Sequence, residues 1–443
     1  MASASSNLTT PQSGPPTTRR DDDLAPGDIA VGVIIGRASE YFDFFVFGIA
    51  SVLVFPQVFF PFVDPLTGTL YAFLVFALAF VVRPIGTLIG MEIQRRFGRM
   101  AKLTAALLLL GCSTVAMGLL PSFAEAGSTA ILLLTLCRIG QGLALGGSWD
   151  GLPSLLALNA PPHRRGWYAM LGQLGAPLGF FVASAVFLYV YSNLGAQDFL
   201  SWGWRFPFFA AFAINVVALF ARLRLVVTHE YEKRMGEQEL DPAHLHELLP
   251  AQGHHIVIGA FAALASYALF HLVTVFPLSW VVLFGNESVA DFMKMELLGA
   301  AFAAVAMPIS GVIADRIGRR NFLGMLAIAI GVFSLFAPLM LGGGKPGQAA
   351  FILTGFVLLG LSYGQSAGSV TSNFLPRFRY TGAALTADLA WLLGAAFAPV
   401  IALYLSSRFG LVSVSVYLLS GAVCTLLALR FNKRLQTAAV VQD

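Results

Sequence analysis

The sequence predicts an all-α polytopic membrane protein whose twelve transmembrane helices form two six-helix bundles, and three observations carry that reading. First, 57% of the 443 residues are hydrophobic and only 11% are charged, with a mean hydropathy of +0.77. So few charges cannot coat a water-soluble particle of this size. Second, the apolar residues fall into twelve runs, each near or above the roughly 20 residues an α-helix needs to cross a bilayer. Third, one long hydrophilic stretch, 228–253, divides those runs six and six.

Taken in order, residues 1–27 are rich in Ser, Thr and Pro, carry RRDDD at 19–23 and have no apolar signal-peptide core. That composition predicts a disordered cytoplasmic tail. The first six runs lie near 28–55, 68–93, 100–121, 128–158, 167–192 and 205–227, and define an N-terminal bundle over 28–227. The cytoplasmic linker 228–253 follows, with the spacing of a short surface helix at 239–249. Its histidines His229, His244 and His246, with His254 and His255, read as solvated residues, because no Cys or tight carboxylate cage accompanies them to hold a metal. Six more runs near 254–284, 292–314, 321–341, 349–375, 380–405 and 411–430 define a C-terminal bundle over 254–430, and 431–443 form a cytoplasmic tail. Cys112, Cys137 and Cys424 all sit in apolar runs without paired spacing, so neither a disulfide framework nor a metal site is expected.

Charge placement sets the orientation. With the N-terminus inside, 20 of the 27 Lys and Arg fall on one face, only Arg205, Lys294, Lys345 and Arg408 fall on the other, and Arg37, Arg83 and Arg138 lie within spans. The positive-inside rule then places both termini in the cytoplasm. The formal net charge of +4 is modest and does not suggest nucleic acid.

The most unusual stretch is GRASEYFDFFVFG at 36–48, which puts Arg37, Glu40 and Asp43 in the middle of the first run. Residues three apart on a helix are neighbours, so the series winds along one flank. A charge at the bilayer centre costs roughly 3 kcal/mol, so that flank must face protein or a water-filled cavity. An internal Arg37–Glu40 pair that only holds helices together is the alternative. The cluster Tyr41, Phe42, Phe44, Phe45 and Phe47 reads as lipid-facing or packing residues, with one or two lining a site.

Several motifs recur. QRRFGRM at 94–100 and GVIADRIGRR at 311–320 occupy the same place in the two halves, which signals an internal duplication. The second holds Gly311, Asp315, Arg316, Gly318, Arg319 and Arg320 in a GxxxDRxGRR pattern, and the fourth run holds Arg138, Gln141, Gly142 and Gly146 in RxxQGxxxG. Further marks are ExxDF at Glu40, Asp43 and Phe44, RPxG at Arg83, Pro84 and Gly86, QLGxPxG at 173–179, WGWRxPF at 202–208 and RYTG at 379–382. On these motifs the chain resembles the major facilitator superfamily over 29–429, and within it the metabolite:proton symporters that include α-ketoglutarate, citrate, shikimate and proline/betaine permeases.

The resemblance implies a non-enzymatic, proton-coupled symporter importing a small organic anion by alternating access, with a proton-coupled efflux antiporter, a zwitterion (proline/betaine) symporter and a non-transporting nutrient sensor of the same fold as the alternatives. It further implies a bacterial inner membrane, a monomer as working unit and no cofactor beyond the coupling proton. Departures from the pattern are informative. Arg95 replaces the acid of the first loop and Met91 its glycine, leaving Glu92 to stand in beside Arg96, Gly98 and Arg99. In the fourth run the acid after Gly146 and Gly147 is delayed to Asp150, which turns it by about 200° on a helix. Glu40, Asp43 and Arg138 are the expected proton-coupling groups, with Arg37 receiving the substrate carboxylate. Tyr41, His271 and Asp388 are further binding candidates, while Arg83 reads as a packing or gate residue and Asp150 and Asp388 stand between gate and coupling. GQSAG at 364–368 matches a hydrolase GxSxG pattern, but in an apolar helix rather than at a strand-to-helix turn.

Overall fold

The computed structural model describes residues 26–149, 151, 160–226, 241–367 and 374–431, and every regular element among them is helical. Among the described residues, ten helices are long and apolar enough to cross a membrane. One of the ten, Pro65–Gly118, runs for 54 residues and breaks at Gly98, so it supplies the second and third spans. Pro26–Leu53 adds the first span in spite of its charges, and the total is twelve. The remaining spans are the fourth (Ser128–Gly147), fifth (Arg165–Asn193), sixth (Gly203–Phe220), seventh (Leu264–Phe284), eighth (Val289–Ile317), ninth (Arg319–Leu341), tenth (Gly344–Tyr363), eleventh (Pro376–Phe409) and twelfth (Val412–Phe431).

The duplication read from the two loops is built into the backbone. Gly98 (φ 84°, ψ 169°) and Gly318 (φ 83°, ψ 138°) end the second and eighth spans in the same conformation, one open to glycine almost alone. Each turn sends the chain straight into the next span, which is how the 54-residue helix turns back on itself.

Close approach of the second and fourth spans depends on glycine as well. A Cβ at Gly86 would stand 2.2 Å from the Leu143 carbonyl, and one at Gly146 would stand 2.1 Å from the Arg83 carbonyl. Without side chains there, the two backbones touch, and Arg83 is carried on a rigid pair of helices.

Three expectations change in detail. Tyr41, Phe42, Phe44, Phe45 and Phe47 are all buried, none more than 9% exposed, so this face packs against protein and not lipid. The segment before the seventh span is no free surface helix: Leu245–Ala262 continues through Pro250 toward the span, and Leu248 is buried against Ile256, Phe374 and Phe378. The described helix of the fourth span ends at Gly147 and that of the tenth at Tyr363, and most of the further stretches drawn from hydropathy, to 158 and 375, lies outside the described residues.

Glycine-only turns make a testable demand. Gly318→Ala forces an L-residue into that conformation at a cost of about 1–3 kcal/mol, so it should lower the melting temperature of the purified protein. Gly324→Ala, inside a helix with only Leu429 nearby at 3.9 Å, serves as the control and should not. Equal melting of the two variants would mean that the turn tolerates any residue.

Candidate functional site

Between the halves lies a cavity of about 60 Å³, room for a few waters or a small carboxylate. Its walls come from the first span (Arg37, Glu40, Tyr41, Phe44), the second (Phe80, Arg83), the tenth (Tyr363) and the eleventh (Thr386, Trp391), with Tyr267 from the seventh. Two cation–carboxylate pairs face it. Arg37 Nη1 donates to Glu40 Oε2 at 2.7 Å, one turn along the same helix, and Ser148 Oγ donates to the other carboxylate oxygen at 3.0 Å. The second pair bridges the halves: Arg83 Nε lies 2.8 Å from Asp388 Oδ1, while Thr87 Oγ1 donates to Oδ2 at 2.6 Å.

The other walls are aromatic. The hydroxyls of Tyr41 and Tyr363 hydrogen-bond across the halves, and Trp391 stacks on Phe80 with ring centres 5.5 Å apart. Trp391 opens a π-helical stretch, Trp391–Ala396, in the middle of the eleventh span. Such a stretch accommodates an extra residue and re-aims the side chains around it, here Trp391 toward the cavity.

Of the residues expected at the site, Arg37, Glu40 and Tyr41 line the cavity; Arg83, expected as a packing or gate residue, lines it as well, with Asp388 directly behind it. Asp43, Arg138 and His271 do not line it. Asp43 accepts from Asn215 Nδ2 in the sixth span, and its Oδ1 meets no aligned donor. Ser39 completes that cluster by donating to Asn215 Oδ1 at 2.5 Å. Arg138 is fully buried; Nε and Nη2 donate to the Phe76 carbonyl at 3.2 and 3.0 Å, Nη1 to Gln141 at 2.9 Å, and the guanidinium lies 4.1 Å from the Phe47 ring centre. His271 sits in an aromatic box of Phe44, Phe76, Phe80, Phe270 and Trp391, with Nδ1 3.5 Å from Thr274 Oγ1.

The loop residues divide into two closures. In the second half, Asp315 accepts from the backbone N–H groups of Gly166 (2.6 Å) and Trp167 (3.1 Å) at the start of the fifth span, where Gly311 lies against the Trp167 backbone. Arg319 adds a bond from Nη2 to the Arg165 carbonyl at 3.1 Å, and Arg320 donates to the Leu429 carbonyl at 2.9 Å. In the first half, Glu92 pairs with Arg95 and Arg96 on its own turn, both at 2.5 Å. The bridge to the eleventh span is made instead by Lys102, whose Nζ donates to Gln94 (2.8 Å), the Trp149 carbonyl (2.6 Å) and the Tyr380 hydroxyl. Asp150 lies outside the described residues.

Sequence reasoning missed Lys102, Tyr380, Asn215, Tyr267, Tyr363 and Trp391. Lys102 looked like one more cytoplasmic positive charge, and the others are ordinary residues whose role comes from distant partners. It also passed over Glu296, fully buried in the eighth span with both carboxylate oxygens meeting no donor among the described residues. An acid between Phe292 and Gly299 in an apolar run was signal enough. Ser366 of the GxSxG pattern, expected inside an apolar helix, lies in a turn just past the helix end at Tyr363 and donates to the Tyr363 carbonyl at 2.8 Å.

Comparison with known proteins agrees with this architecture. Residues 29–239 match the family model described as sugar (and other) transporter. The chain is 39% identical over 408 residues to the inner membrane metabolite transport protein YhjE of Escherichia coli (strain K12), covering 90% of this chain and 92% of that one. It is 29% identical over 426 residues to the shikimate transporter of the same strain, covering 92% and 95%. In fold it is similar to a crystal structure of a D-xylose-proton symporter, with a TM-score of 0.69 at 18% identity over 91% of this chain and 96% of the other.

Removing one hydroxyl tests the first-half closure. Tyr380→Phe deletes the acceptor for Lys102 and the donor to Trp149 and Gln94 while keeping the ring. A cysteine placed at Ala387, in the cavity wall, should then react with a thiol reagent several-fold faster in a background lacking Cys112, Cys137 and Cys424. An unchanged rate would show that this cluster does not hold the closure.

Proposed function

We propose, because this chain belongs to the major facilitator superfamily of membrane metabolite transporters, that it is a proton-coupled symporter importing a small organic acid by alternating access. The orientation that goes with this reading has both termini in the cytoplasm of a bacterial inner membrane. The observation that carries it is the Arg37–Glu40 pair in the wall of a cavity shared by both halves.

The coupling follows from charge balance in a place with little water. Arg37 and Arg83 are matched by Glu40 and Asp388, so the charges around the cavity balance. An arriving organic anion adds one negative charge and competes with the carboxylates of Glu40 and Asp388 for the positive field of the two arginines. A buried carboxylate without its cation is costly, and taking up a proton removes that cost. Anion and proton then load together. Asp43, bonded to Asn215 behind the first span, is a second carboxylate able to hold a proton in the same half, and the fixed positive charge of Arg138 tunes that exchange. The same balance also suits a zwitterion, whose own cation needs no proton to accompany it.

Uptake into proteoliposomes of labelled α-ketoglutarate, citrate, shikimate and glycine betaine, each with and without an inward proton gradient, tests the reading. One acid should accumulate only with the gradient, and Glu40→Gln should cut that accumulation by about tenfold or more while leaving downhill exchange. Normal accumulation by Glu40→Gln would remove Glu40 from the coupling. Gradient-independent uptake of betaine alone would favour the zwitterion.

A further inference from the structure

The two arginines of the cavity are not equivalent. Arg37 is engaged: Nη1 is on Glu40 at 2.7 Å and the guanidinium lies 5.7 Å from the Trp149 ring centre. Arg83 is about nine-tenths buried and holds its counter-ion through Nε alone, at 2.8 Å from Asp388 Oδ1. Even that N–H is not aligned as a hydrogen bond, so the contact is a charge pair without directional bonding. Neither terminal nitrogen of Arg83 donates to any acceptor among the described residues. Trp391 covers one face of the guanidinium, 5.8 Å from its ring centre, and the cavity lies beside it.

A planar fork of N–H donors, buried, charged and unfilled, is the geometry that receives a carboxylate in two parallel bonds. We infer that Arg83, not Arg37, is the receptor for the carboxylate of the transported molecule, with Asp388 as the counter-charge against which that carboxylate must compete. This assignment rests on the reading of the chain as a carrier of carboxylates. It applies to an organic acid and to a betaine alike, since both present one. Arg83 and Thr87 belong to the second span and Asp388 and Trp391 to the eleventh, so the bound carboxylate sits on the bond that joins the two halves. Occupancy is thereby sensed where the halves must part.

Equilibrium binding of shikimate and glycine betaine to the purified full-length protein, with choline as the betaine analogue lacking a carboxylate, tests the assignment. Arg83→Lys keeps the charge and loses the fork, and should weaken carboxylate binding by about tenfold or more. Asp388→Asn removes the competing charge and should tighten it several-fold, an opposite shift that a loss of packing would not produce. Arg37→Lys should change it little, and choline should bind no better to the wild type than to Arg83→Lys. Wild-type binding with Arg83→Lys unaffected, or with Asp388→Asn weakened alongside it, overturns the assignment of Arg83 alone. Failure of the wild type to bind either carboxylate overturns the carrier reading, and this assignment with it.

Discussion

A charge inside an apolar slab has to be matched, and that constraint arranges most of the cavity region. Breaking a buried ion pair by removing one partner costs about 3–5 kcal/mol. Hence the first span turns Arg37 and Glu40 toward the cavity, the second and eleventh meet at Arg83 and Asp388, and Arg138 is wrapped by the Phe76 carbonyl and aromatic rings. Rotating any of these helices toward lipid would expose a charge. Separating the halves would open the Arg83–Asp388 pair, and each of its charges would then need another partner.

The two halves share a backbone plan and differ in how they close. In the second, a carboxylate grips bare backbone, Asp315 on Gly166 and Trp167, and Gly311 leaves space for that approach. In the first, Met91 fills the corresponding place, packing with Trp149, Tyr380, Ala383 and Ala384. The side chains of Lys102, Gln94 and Tyr380 make the bridge there in place of a carboxylate on backbone. Loss of the loop acid is thus accompanied by a different closure and not by an open seam.

What could be read in advance follows the range of the interactions involved. Twelve spans and the paired glycine turns are local in sequence, and hydropathy with the two loop motifs reveals them. Arg37, Glu40 and Arg83 announced themselves because a charge in an apolar run is anomalous wherever it ends up. Whether such a charge lines the cavity was not legible: Asp43 lies one turn from Glu40, yet it turns to Asn215, 172 positions away in sequence. The same holds for Lys102 and Tyr380, whose meeting requires the two halves to be assembled. Hydropathy gave no sign of the helix end at Gly147, since it reports the solvent a segment prefers and not its hydrogen bonding.

The π-helical stretch Trp391–Ala396 divides the eleventh span into two segments with independent phase. One added residue advances everything beyond it by about 100° around the axis. The half carrying Thr386 and Asp388 can therefore be tuned for what it shows the cavity, while the half from Ala398 to Phe409 keeps its own buried side, Ala402, Leu403 and Ser406. In an unbroken helix, a change that swivels one end swivels the other. Here substrate preference and anchoring can drift separately along a single span, a modularity that suits a scaffold reused for many cargoes.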